Sequence, residues 1–325
     1  MTALKRLVLI LAVVTAVCVT LLLTIPGNPQ QDETIVERFR QITGDSEWEL
    51  VGTIPISFDA HHPQGMTLVG DFVFFSSVQV TTRTETYEQQ VGGYDRTAGE
   101  GLGHLFKVDR GGNIVASITL GEDSIYHPGG IDFDGSFIWV PVAEYRPNSS
   151  SIVYRVDPAT MEAAEVFRFG DHLGGLVLDT ADATLHGVSW GSRFFYSWRL
   201  NEDLEISTDR LDAEEQRVPN ANFYIDYQDC QYAATHHMLC SGVKRHHVRS
   251  AGDSVSHEFT LGGLDLVDLQ TKQAVHQIPF NWMVGDETAM TTNPFFVEPT
   301  DNHLRFYFMP EDNESTIFLF DVTSR

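Results

Sequence analysis

The sequence predicts an all-β protein, a β-propeller of five four-stranded blades, and three observations carry that prediction. First, a phrase recurs: His62-Pro63-Gln64-Gly65-Met66 returns as His127-Pro128-Gly129-Gly130-Ile131 and again as His172-Leu173-Gly174-Gly175-Leu176. Copies spaced roughly 45–65 residues apart, each leading into short strand-like runs, are the mark of propeller blades. Second, an alternating apolar run, often closing on Val-Asp or Asp-Val, marks the third strand of a blade. It recurs at residues 104–109, 152–157, 264–268 and 317–321, with 194–198 as a divergent member. Third, the last of these runs has no strand after it, while Trp48-Glu49-Leu50-Val51-Gly52-Thr53-Ile54 precedes the first inner strand without a partner. Pairing the two closes the ring and removes an exposed sheet edge. Six blades is the alternative, if residues 81–103 or 204–222 hide weak strands.

Along the chain, Lys5 and Arg6 precede residues 7–25, which carry no charge. A secretory apolar core is usually about 7–15 residues and a membrane span about 17–25, so residues 1–25 read as an uncleaved signal anchor, with a cleaved signal peptide as the alternative. The body is then extracytoplasmic: anchored in the inner membrane and facing the periplasm or cell exterior, or secreted if the segment is cleaved. Residues 26–47 read as a polar linker with a short helix around 33–41, and residues 48–325 as one propeller domain. The second strands are expected at 72–76, 137–142 and 185–190, and the outer strands at 114–120, 163–169, 204–208 and 274–278.

The chain has 325 residues, with 45 acidic against 21 basic side chains and a net charge of −24. Nucleic acid and anionic membrane surfaces both require a basic footprint, so neither is expected as a partner beyond the N-terminal segment itself. Cys230 and Cys240 flank a hairpin connection centred near Thr235. Opposed residues of antiparallel strands lie close enough for a bridge, and an oxidising compartment favours a disulfide between them.

Equivalent residues of different blades meet around one axis. Aligning the inner strands places His62, His127, His172, Asp226 and Thr291 in one ring, with Asp286 and Glu287 close by. Imidazoles with a carboxylate suit a transition metal such as zinc or manganese, calcium being the alternative if the acids dominate. On this reading His62, His127, His172 and Asp226 are the ligands, and Glu287 or Asp286 is the general base of a metal-assisted hydrolysis. The competing reading is structural: the phrase satisfies buried backbone, and its glycines permit close approach at the axis.

Four second strands run out into bases: Arg83, Arg146, Arg193 and the pair Lys244-Arg245. In so acidic a chain these bases could gather an anionic small-molecule ligand, with Tyr145 and Trp190 as stacking walls beside Thr291. Ordinary pairing with neighbouring acids is the alternative. The long loops 81–103, 144–150 and 244–257 belong to the same face and could serve a protein or glycan partner. A phosphate-binding loop and Cys-x-x-Cys are both absent from the sequence.

The stretch from Tyr126-His127-Pro128-Gly129-Gly130-Ile131-Asp132-Phe133 to Glu144-Tyr145-Arg146-Pro147-Asn148-Ser149-Ser150 resembles an uncharacterised family of secreted bacterial proteins, a domain of unknown function. The resemblance covers most of the chain after residue 25 and implies no activity. More distantly, the inner-strand openings look like those of gluconolactonase and strictosidine-synthase-like propellers. That likeness implies a divalent metal on the axis and hydrolysis of lactones or esters. The chain departs from those families in offering histidines where they mostly use acidic and amide ligands.

Overall fold

The computed structural model describes residues 29–206, 212–222, 224–249, 256–285 and 288–323. Five antiparallel sheets form five blades. Blade one comprises His62–Val69, Phe72–Thr82, Glu100–Val108 and Ile114–Leu120. Blade two runs from Ile125–Pro128 and Asp132–Phe133 through Ile138–Glu144 and Ser151–Val156 to Ala163–Phe169. Blade three is Leu173–Asp179, Thr184–Ser189, Phe194–Arg199 and Val218–Pro219; blade four is Asp226–Ala234, His237–Arg249, Ser256–Asp268 and Gln273–Phe280. In blade five Phe295–Pro299, Leu304–Phe308 and Thr316–Val322 are completed by Trp48–Pro55, which pairs antiparallel with Thr316–Val322. The ring closes as the sequence predicts.

The buried apolar side chains fix the blade count. They fall into five clusters, each shared by one pair of adjacent blades. Blades one and two share Phe74, Leu105 and Val140; blades two and three share Trp139, Leu176 and Trp198. Blades three and four meet at Val177, Phe195 and Met238, four and five at Leu266, Phe295 and Phe320, and five and one at Tyr307, Met66 and Phe75. Five interfaces close a five-membered ring and leave no place for a sixth blade. The 81–103 stretch instead lengthens two strands of blade one and carries a small hairpin, Thr86–Val91 with Tyr94–Arg96.

One expectation is corrected. Of the outer strand expected at 204–208, residues 207 and 208 lie outside the described residues and Ile206 makes an isolated bridge to Leu200; among the described residues the outer strand of blade three is the short Val218–Pro219 on Phe194 and Phe195. The short helix expected around 33–41 is present as Pro29–Phe39, and its Ile35, Val36 and Phe39 join Ile42, just beyond its end, in the core between blades four and five. Apolar residues at i, i+1, i+4 and i+7 lie on one helical face, and here that face covers the propeller. Residues 1–28 lie outside the described residues, so the expected anchor lies there too. No helix among the described residues is long and apolar enough to cross a membrane. Cys230 and Cys240 are direct cross-strand partners and form a disulfide.

Candidate functional site

The recurring phrase divides its work between the axis and the mouth of the funnel. Its third residue is a bulge in three blades: pairing skips Gln64, Gly174 and Gln228. A bulge re-aims the flanking residues, and the glycines beside it let the inner strands close around the axis. A Cβ on Gly129 would meet the Gly174 carbonyl carbon at 2.6 Å, and one on Gly130 would meet Asp229 Oδ1 at 2.5 Å. One Asp229 oxygen accepts the Met66 and Phe295 N–H groups at 2.9 and 3.3 Å, and the other accepts Cys230 N–H at 3.0 Å, tying blades one and five to blade four. Burial pushes the Asp229 carboxyl well above the ordinary carboxylate range, against the pull of those donors. Asp132 accepts Tyr232 N–H at 3.0 Å across the axis.

Above this plug lies a cavity of about 280 Å³ whose lining includes His62, His127, His172, Asp226, Tyr145 and Trp190. The four residues read from sequence as metal ligands therefore converge on one space. The ring centres of His62 and His127 are 6.4 Å apart and those of His127 and His172 are 5.7 Å apart. His127 stacks on Tyr145 at 4.1 Å, and His172 meets Trp190 edge-on at 4.8 Å. The Arg96 guanidinium lies 5.1 Å over the Trp190 ring. A second cavity of about 520 Å³ adjoins through His62, Thr84 and Tyr145, and Arg83, His61 and Asp312 also line it.

The three imidazoles differ in what holds them. His172 Nδ1 lies 2.8 Å from the Glu144 carbonyl oxygen; a carbonyl only accepts, so Nδ1 carries the proton and Nε2 keeps its lone pair. Burial pushes the His172 pKa down to about 4. His62 Nδ1 sits 2.7 Å from Asp312 Oδ1, and Asn293 donates to the same oxygen at 3.1 Å. His127 is 4% exposed, and neither ring nitrogen has a hydrogen-bond partner. Burial first, then His172 and His62, hold it well below the ordinary histidine value, so it is neutral. An unpaired buried polar group costs about 1–3 kcal/mol, which makes His127 the least satisfied group of the funnel.

Other expected site residues fall elsewhere. Asp226 lines the cavity, but its Oδ1 is held by Arg193 at 2.6 Å and Lys244 at 3.3 Å. Two cations on one carboxylate compete with a metal, so Asp226 fits poorly as a ligand. Arg193 is thereby committed. Arg146 likewise pairs with Glu144 at 2.5 Å and lies over the Tyr94 ring. The bases that line the cavities are Arg83 and Arg96, and Arg96 also pairs with its neighbour Asp95. Thr291 is fully buried and donates to the Gly242 carbonyl at 2.7 Å, away from the cavity. Asp286 and Glu287 lie outside the described residues.

A further group went unread in the sequence. Asp179, Asp182 and His236 bring their ligand atoms within 4.8 Å of one another, a spacing that could hold a metal ion. They belong to the first-to-second-strand ends of blades three and four, and no repeated phrase marks them.

A closed ring of five blades around a polar funnel defines the class: a β-propeller with its candidate site on the axis. Residues 21–325 match DUF6454, described as a family of unknown function, and the chain belongs to that family. No curated protein matches it. Among solved structures it is similar to hydrazine synthase of Kuenenia stuttgartiensis, at 11% identity and TM-score 0.39, over 84% of this chain and 65% of that one. It is also similar to the tail fibre of Staphylococcus aureus phage P68, at 10% identity and TM-score 0.48, over 90% and 56%. A luciferin-regenerating enzyme matches at 8% identity and TM-score 0.43, over 86% and 95%. The chain spans less than two thirds of the length of the first two, and none of the three is close enough to carry a functional argument.

Proposed function

We propose that the funnel is a metal-dependent hydrolytic site for a small ester or lactone, on an extracytoplasmic propeller. One observation carries this reading: His127 is buried with both nitrogens unpaired, between two imidazoles whose Nδ1 positions are already committed. Ligating histidines characteristically bond a carboxylate or carbonyl through the nitrogen that does not ligate, as His62 does to Asp312 and His172 to Glu144. All-imidazole ligation favours zinc or manganese over calcium, which prefers oxygen. Three imidazoles on one tetrahedral ion have ring centres about 5 Å apart. The observed 5.7 and 6.4 Å exceed that, and the ligand atoms of His62, His127 and His172 do not all lie within 4.8 Å of one another, so the rings must move inward to share an ion. The ion, when bound, would polarise the scissile carbonyl.

The remaining chemistry belongs to the chain. Asp312 and the Glu144 carbonyl hold two rings in one tautomer, and burial keeps His127 and His172 neutral and ready to ligate. Tyr145 and Trp190 provide flat walls, and Arg83 and Arg96 favour a substrate bearing an anionic group. The disulfide supports an oxidising compartment, to which residues 1–25 would deliver or tether the domain. The test is a hydrolysis screen of lactones and aryl esters with the metal-reconstituted chain. His127→Ala and His172→Ala should each lose roughly 100-fold or more in kcat/KM. Equal rates in both variants and the parent would refute the catalytic reading.

A second reading, a non-catalytic binding propeller for a protein or glycan, is supported by the long strands His237–Arg249 and Ser256–Asp268. Val248 and Phe259 are 46% and 48% exposed on them. A binding module would tolerate loss of His127 and lose its partner when Val248 and Phe259 are replaced by serine.

A further inference from the structure

On the side of the ring where first and second strands join, a cavity of about 210 Å³ holds Lys272, His186, Ser197, Asp179 and Asp182. Lys272 reaches it from blade four and is 8% exposed. Its Nζ lies 2.6 Å from His186 Nδ1; Asp179, Asp182 and Asp268 act on it electrostatically, but among the described residues no carboxylate comes within ion-pair distance. A buried structural lysine ordinarily sits on a carboxylate. Here the nearby Asp179 is taken by Tyr232 at 3.1 Å and by His236 at 2.6 Å, leaving the amine facing an imidazole acceptor. Ser197 Oγ lies 2.9 Å from the same Nδ1.

We infer that Lys272 is a nucleophilic amine that condenses with a small neutral hydroxyaldehyde in this cavity. The free amine attacks the carbonyl carbon, a C–N bond forms and the carbonyl oxygen takes up a proton. Loss of water then gives the imine, so amine plus aldehyde balance imine plus water. His186 Nδ1 orients the amine by accepting one of its N–H bonds. Burial supports this by pushing the Lys272 pKa down to about 8 and that of His186 to about 3, so that much of the amine is free at mildly alkaline pH beside a neutral acceptor. The two aspartates set the substrate class: their charge repels carbonyl compounds bearing a carboxylate, and the buried, unpartnered Asp182 Oδ1 accepts a hydrogen bond from a hydroxyl group. A cavity of this size admits a short aldose rather than a polymer. This inference is independent of the funnel.

The experiment is reductive trapping of the native chain with glyceraldehyde and cyanoborohydride at pH 8, followed by peptide mass mapping. Lys107 and Lys244 serve as internal references, one held by the Pro158 carbonyl and the other by Asp226. Lys272 should be modified about tenfold faster than either reference, as a desolvated amine should be. Glyoxylate should label it more slowly than glyceraldehyde. Labelling of Lys272 no faster than the references would overturn the inference, and glyoxylate outpacing glyceraldehyde would overturn the substrate class.

Discussion

At the scale of single residues, the funnel histidines set a pH dependence whose sign follows from burial. His172 binds its proton with a pKa of about 4 when folded and about 6.5 when unfolded. Between those values the unfolded chain holds more protons, so stability is full above about 6.5 and falls as pH drops toward 4. His127 shifts the same way. Unfolding midpoints measured from pH 7 to 4 should therefore fall, and His172→Gln should flatten the slope by about 3 kcal/mol across the window. Asp312→Asn should leave folding intact and weaken metal binding roughly 10–100-fold, since it changes what holds His62; titration calorimetry would show this. The three histidines were legible because a repeated phrase in a ring must converge. Asp229 was not: it occupies the slot that Gly130 fills in blade two, and a carboxylate in a glycine position gives no periodic signal. The Asp179, Asp182 and His236 group comes from turns of two blades, which sequence spacing cannot join.

At the scale of the strand, the phrase's glycines are obligatory where backbones touch. Gly129→Ala should destabilise by several kcal/mol, because its Cβ would strike the Gly174 backbone and only main-chain movement can make room. Gly170→Ala meets nothing within 4 Å and should be close to neutral. A denaturant series on the two variants separates them. The Cys230–Cys240 bridge closes a short loop with a sequence separation of 10. Replacing both cysteines with alanine should cost about 2–3 kcal/mol by the loop-closure argument. Strands long enough to alternate were readable, which is why the third strands and the closing strand 48–54 were found. The outer strand of blade three escaped because two residues, Val218 and Pro219, carry no period.

For the whole molecule, five apolar interfaces in a closed ring make the blades interdependent, and the helix Pro29–Phe39 seals one of them. Phe39 is fully buried against Phe306 and His276, so Phe39→Ala should cost about 3–5 kcal/mol and lower the single unfolding transition of the ring. A Phe39→Ala chain unfolding like the parent would mean that the helix lies on the propeller without supporting it. The apolar spacing of Ile35, Val36, Phe39 and Ile42 was in the sequence, but polar flanks made the segment read as a linker.

The central claim is that the repeated histidines form one transition-metal site at the mouth of the ring. Elemental analysis of the full chain, purified without a metal-chelating tag, tests it most directly. About one equivalent of zinc or manganese per chain, lost in His127→Ala, is the predicted result. No transition metal after reconstitution, or undiminished metal in His127→Ala, would contradict it.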